Sequence, residues 1–163
     1  MKKIIIPFLI LLIIILVIFF IFGIKRKVVI NNIKHLRLSY SNGYAMYAYS
    51  IYEINYEDGK YILSIKPNGV PDEEVQKEEI SKKDIKQVIN ILNKYNVSTW
   101  DGFNKIDKNV LDGDSFSFSL KYNDDKDVSA SGYMRYPKDY GLVKQELVDI
   151  FTKYYKDKGV IYE

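Results

Sequence analysis

The chain has no cysteine, one histidine (His35), one tryptophan (Trp100), four prolines and nine glycines in 163 residues. Without cysteine there is no disulfide, no thiolate metal site, no cysteine nucleophile and no lipidated cysteine. With one histidine as well, a zinc centre would have to be built almost wholly from carboxylates, which disfavours it. No metal and no cofactor are therefore expected. The common serine-hydrolase signals are missing too. No serine sits in a Gly-x-Ser-x-Gly elbow, and Ser81-Lys82-Lys83 is followed by Asp84 where a Ser-x-x-Lys motif needs lysine. A one-sided charge balance is also lacking. The first 27 residues hold five basic and no acidic residues, so the rest, with 19 basic against 21 acidic, is net −2. A nucleic-acid binder would carry a concentrated basic face, and this body does not.

What the chain has in abundance is hydrocarbon at its start. Ile4 to Ile24 is a run of 21 residues without a charge or a strongly polar side chain, between Lys2-Lys3 and Lys25-Arg26-Lys27. As a helix it would be roughly 31 Å long, against a bilayer core of about 30 Å. A cleaved signal peptide has an apolar run of about 7–15 residues and a small-residue exit; here the run is longer and leaves through Phe22-Gly23-Ile24-Lys25-Arg26. Apolar residues surround the whole helix, which does not fit a core helix with a polar face. Residues 1–27 are thus expected to be a basic-flanked transmembrane signal anchor, with the lipid bilayer as partner through residues 4–24. The flanking charges nearly balance, but long domains translocate largely regardless of charge. The expected location is a single-pass cell-membrane protein with an extracytoplasmic body; an outward N-terminus with a cytoplasmic body is the alternative.

Residues 28–35, with Asn31-Asn32, read as a short linker, and 36–163 as one domain long enough to bury its own core. Leu36, Leu38 and Tyr40 alternate with polar residues, and Ser41-Asn42-Gly43 is a hairpin turn. Tyr44 to Tyr56 predicts a long aromatic strand, and Asp58-Gly59 turns it back into Tyr61–Lys66. Pro67 to Pro71 breaks that strand, and 73–80 offers a polar edge strand. Ser81 to Asp84 resembles a capping box with a shortened acid. Ile85, Val88, Ile89, Leu92 and Tyr95 then recur at helical spacing. Phe116, Phe118, Leu120 and Tyr122 alternate with Ser115, Ser117, Ser119 and Lys121, and a turn at 123–126 leads into Val128–Met134. After Pro137, the residues Tyr140, Val143, Leu147, Ile150, Phe151 and Tyr154 mark a second amphipathic helix, ending near Gly159. The predicted class is α+β: an N-terminal transmembrane helix, then an antiparallel sheet with two helices on one face.

Four acids in 101–114 (Asp101, Asp107, Asp112, Asp114) invite calcium, but the EF-hand pattern fails at Leu111 and Asp112. Turn chemistry explains these residues as well. His35 opens the first strand on its polar side and reads as a solvated surface histidine. Serines 115, 117, 119, 129 and 131 read as an outward hydroxyl face. The aromatics are the unusual feature: 15 tyrosines and eight phenylalanines beside Trp100. Most are accounted for as strand formers and core. Trp100, Phe103, Tyr133 and Tyr136, in or beside loops, are the candidate ligand- or partner-binding residues, since rings with a polar tip suit sugars, peptides and proteins. The same residues also read structurally, with Trp100 as a plug between sheet and helices.

Trp100-Asp101-Gly102-Phe103, Leu111-Asp112-Gly113-Asp114-Ser115-Phe116, Ser129-Ala130-Ser131-Gly132-Tyr133 and Tyr136-Pro137-Lys138-Asp139-Tyr140 form a pattern. It resembles that of small membrane- or lipid-anchored extracytoplasmic domains of clostridial-type Gram-positive bacteria, a group with no assigned activity. The resemblance covers roughly residues 36–155. It implies the fold outline and an extracytoplasmic location, and no chemistry. The expected function is a membrane-tethered binding or interaction module for an envelope protein, peptide or polysaccharide. Two alternatives stand beside it: an envelope hydrolase using carboxylates of the 101–114 loop, and an inhibitor or immunity-type protein acting through the loop at 67–72.

Overall fold

A computed structural model describes residues 28–41, 49–71, 74–124 and 126–156. The expected anchor over 1–27 and the turn at Asn42-Gly43 lie outside these residues. Among the described residues, no helix is long and apolar enough to cross a membrane.

The period-two segments become strands: β1 (Ile33–Ser41), β2 (Tyr49–Glu57), β3 (Lys60–Lys66), β6 (Ser115–Tyr122) and β7 (Lys126–Tyr133). Two four-residue strands, β4 (Gln76–Glu79) and β5 (Phe103–Ile106), form the edges. The seven strands make one sheet in the order β4-β3-β2-β1-β6-β7-β5. Its middle strand, β1, pairs with β6, Leu38 opposite Phe118 and Ser41 opposite Ser115. Two helices complete the α+β class, α1 (Lys82–Lys94) and α2 (Tyr140–Phe151).

The sheet is mixed, which corrects the antiparallel expectation. β5 runs parallel to β7, Phe103 opposite Ala130 and Ile106 opposite Tyr133. A four-residue strand with only Phe103 partly buried has no readable alternation, so the sequence looks like loop there. The second helix is also shorter than its periodicity predicts. It ends at Phe151, and a 3₁₀ turn over Thr152–Tyr154 takes the chain out into extended backbone at Tyr155.

One face of the sheet supplies the core. Leu36, Leu38, Tyr52, Ile54, Leu63, Ile65, Phe118, Leu120, Val128 and Ala130 are buried in one cluster with Ile85, Val88 and Leu92 of α1 and Val143, Leu147 and Phe151 of α2. Burying each such side chain contributes about 1.5–3 kcal/mol, and that term dominates the fold's stability. The opposite face is polar. It also holds a buried lysine, Lys66, whose ammonium lies 3.7 Å from the centre of the Tyr49 ring.

Residues 28–35 are part of the fold and not a linker. β1 begins at Ile33, and Ile30 is buried in the core. The Ile30 N–H donates to Asn93 Oδ1 at 2.9 Å, and Asn93 Nδ2 donates back to the Ile30 carbonyl at 2.8 Å. Asn123 does the same for the next turn, accepting from the Asn31 N–H and donating to the Val29 carbonyl. The Val28 N–H donates to Ser98 Oγ at 3.1 Å. Three polar side chains thus satisfy backbone groups that a strand ladder does not reach.

Candidate functional site

The four aromatic candidates separate by depth. Trp100 is a core residue, only 3% exposed. Its indole N–H donates to the Lys138 carbonyl at 3.2 Å, and its ring meets Phe118 edge-on at 5.3 Å. It presents no surface to a ligand, so the structural reading of this residue holds and the binding one does not. Phe103 is half-buried, with its ring centre 6.2 Å from that of Phe116. The half-buried Tyr133 donates its hydroxyl to the Leu111 carbonyl at 2.7 Å, which secures the 107–114 loop. Tyr136 is the most open of the four, at 40% exposure.

Tyr136 reaches the surface because the chain folds back on itself after β7. A Cβ on Gly132 would stand 2.0 Å from the Arg135 carbonyl oxygen, so only glycine permits this turn. Met134 takes a left-handed conformation (φ 52°), and its N–H donates to the Asp114 carbonyl at 2.9 Å. The next residues lay Tyr136 on Tyr140, the first residue of α2. The ring centres are 5.0 Å apart and the planes 13° from parallel.

This stack forms one wall of a cleft of about 780 Å³. Tyr40 and Ser41 at the end of β1, Asp114 and Ser115 at the start of β6, and Lys144 one turn into α2 line the rest. Ser41 and Ser115 share a hydrogen bond at 2.7 Å, and the Lys144 ammonium lies 4.8 Å over the Tyr40 ring. The Tyr140 phenol is 6% exposed, and its hydroxyl has no hydrogen-bond partner among the described residues. Burial pushes its pKa well above the ordinary phenol value, and Tyr136, Tyr40 and Asp114 add to the effect. An unmatched buried hydroxyl costs about 1–3 kcal/mol. Four exposed apolar side chains belong to the same end of the sheet: Ile106, Leu111, Met134 and Leu142. A shallower hollow of about 440 Å³ between Phe103, Ile106, Arg135 and Tyr136 adjoins it.

Sequence reasoning reached Tyr136 and Asp114 but missed Tyr40, Tyr140 and Lys144 as cleft residues. Tyr140 and Tyr40 read as core by periodicity, and no local pattern announces that β1 ends against the start of α2. A tyrosine at the first position of a helix, where its ring overhangs the end of the sheet, is the one signal available.

The acids of 101–114 are held by different partners. Asp101 accepts from the Ser129 N–H at 3.1 Å, whereas Asp107 pairs with Arg135 at 2.9 Å and accepts from the Asn109 N–H. Asp112 is exposed, and Asp114 faces the cleft. Among the described residues, no group of three or more potential ligands could hold a metal ion. Only the Asp107–Asn109 bond is local turn chemistry; the bonds to Ser129 and Arg135 tie the loop to β7 and the turn that follows it.

His35 is more embedded than a surface histidine. Its Nδ1 lies 2.9 Å from Asn55 Oδ1 and its Nε2 3.3 Å from Ser119 Oγ. Glu53 stands 3.9 Å from Nδ1 and is fixed by Arg37 at 2.6 Å and by Asn55 Nδ2 at 3.1 Å. Burial opposes Glu53 ionisation, but the bonds from Asn55 and Arg37 and the charges of Arg37 and His35 outweigh it and hold its pKa below the ordinary value. The serine–imidazole–amide order is that of a nucleophile, its base and an orienting group. β1 is paired on both sides here, and these side chains form a polar network across β2, β1 and β6.

The chain matches no protein-family model and no curated protein.

Proposed function

We propose that this protein is a membrane-tethered extracytoplasmic binding module whose cleft at Tyr136 and Tyr140 takes a protein or peptide of the cell envelope. The observation that carries the reading is the exposed Tyr136 ring, stacked on Tyr140 in a cleft rimmed by exposed apolar side chains. A peptide supplies the complement: apolar side chains that cover Ile106, Leu111 and Leu142 and pack on the exposed Tyr136 ring. Interface anchors are enriched in tyrosine for this reason. The tether rests on the apolar run from Ile4 to Ile24 and its basic flanks.

The absence of native cysteine makes the test clean. A full-length chain carrying Leu142→Cys and a photo-crosslinker is expected to yield a discrete protein adduct in cell envelopes. Tyr136→Ala in the same chain should remove it, and a label placed at Asp127 should not form it. An adduct indifferent to Tyr136, or formed equally from Asp127, contradicts the reading. An envelope polysaccharide is the second reading, favoured by the nearly parallel Tyr136–Tyr140 stack. Trp100 lies 6.0 Å from Tyr140 and reports on cleft occupancy. A saturable change in its fluorescence with soluble peptidoglycan fragments, together with no protein adduct, would select the polysaccharide.

A further inference from the structure

The way the chain enters the fold sets how the body stands on a bilayer. The apolar run ends at Ile24, and only Lys25, Arg26 and Lys27 separate it from Val28. Val28 is already bonded to Ser98, and Ile30 is in the core with both its backbone groups held by Asn93. Four Cα-to-Cα steps at about 3.8 Å reach at most roughly 15 Å. The headgroup layer alone takes about 5–8 Å of that distance on each side of the hydrocarbon. A body of this size has a radius of gyration of about 14 Å. That leaves at most roughly 7–10 Å between the headgroups and Val28, so the entering end of the body stays close to the lipid.

The structure also says which end must face the lipid. Ile33, at the start of β1, pairs with Tyr122, beside the β6–β7 turn. Tyr56 and Glu57 pair with Tyr61 and Lys60 across the β2–β3 turn, and β2 is antiparallel to β1 with Asn55 opposite His35. Both turns therefore sit at the end where the chain enters. That end carries exposed Val29 and Tyr56, with Lys34 and Lys60. Tyrosine is favoured at the headgroup level, where its ring and its hydroxyl find different surroundings. Lys34 is balanced by Asp124 and Lys60 by Glu79, so this rim is not a basic patch, and the short tether, not charge, drives the contact. The cleft lies at the other end of β1, roughly 26 Å away over eight strand steps.

We infer that the body docks directly on lipid headgroups through the β2–β3 turn, Val29 and the β6–β7 turn, which holds the Tyr136–Tyr140 cleft away from the membrane. This inference rests on the tethered reading proposed above.

The test uses the full chain in phospholipid vesicles with headgroup-attached quenchers. A fluorophore is placed on single cysteines at Lys60→Cys, Asp124→Cys, Leu111→Cys and Leu142→Cys. The expected result is strong quenching at 60 and 124, with several-fold less at 111 and 142. A long Gly-Ser insertion between Lys27 and Val28 should bring all four to the low level. Equal quenching at all four positions, or stronger quenching at 111 and 142, overturns the docking while leaving the tether intact. A chain that does not float with vesicles in alkaline carbonate overturns the tether and this inference together.

Discussion

Single side chains separate core from cleft. Trp100→Ala empties a buried site bounded by Phe118 and Tyr140, and should cost about 3–5 kcal/mol in a denaturant titration. Tyr136→Ala removes a half-exposed ring and should change stability by about 1 kcal/mol or less while abolishing partner capture. Tyr140→Phe deletes a buried hydroxyl with no partner among the described residues, so stability should stay level or rise in a denaturant titration. Gly132→Ala drives a methyl group into the Arg135 carbonyl and should cost about 1–3 kcal/mol. The sequence left Trp100 two readings, a ring for a ligand and a plug between sheet and helices, because nothing local shows that Phe118 and Tyr140 close over it. The burial of the Tyr140 hydroxyl was not legible, since it depends on Tyr40 arriving from a strand far back in the chain.

Among the elements, the first turn of α1 shows how a sequence motif is completed by distant residues. Ser81 Oγ accepts from the Asp84 N–H at 3.1 Å, as a cap should. Asp84, shorter than the usual glutamate, leaves the Ser81 N–H to the Tyr154 hydroxyl at 3.0 Å, and Tyr154 donates to Asp84 at 2.6 Å. The motif was readable and its partner was not. Ser81→Ala should cost about 1 kcal/mol, measured as a lowered Tm. Acid acts on two elements. Hydrogen bonds from Ser81 and Tyr154 hold the Asp84 pKa below its ordinary 3.8, and Glu53 on β2 is held below its ordinary 4.5. Both lowered values mean stability that is fully present above the ordinary pKa and lost as pH falls through the folded one. Acid titrations of the wild type and Glu53→Gln should therefore converge at low pH and separate above about 4.5. Strands with alternation of period two were read correctly in kind, as were both helix faces; β5 escaped because four residues at an edge carry no alternation.

For the whole molecule, the two ends of the sheet differ in build. The chain enters at one, pinned by Asn93, Asn123 and Ser98, and the tyrosine cleft occupies the other. Alkali should act cooperatively on this body. Burial raises the pKa of Tyr52 and Tyr140 well above 10.0. Groups raised in the folded state contribute stability below their unfolded pKa and lose it as pH rises beyond. The ultraviolet titration of phenolate should show most tyrosines ionising first and these two only with unfolding. The side of the membrane on which the cleft lies is the point on which the binding reading turns. It is read most directly by treating intact cells that carry the full-length Leu142→Cys chain with a membrane-impermeant maleimide. The account predicts labelling without lysis, equal to that after permeabilisation. Labelling that appears only once the membrane is opened would contradict it.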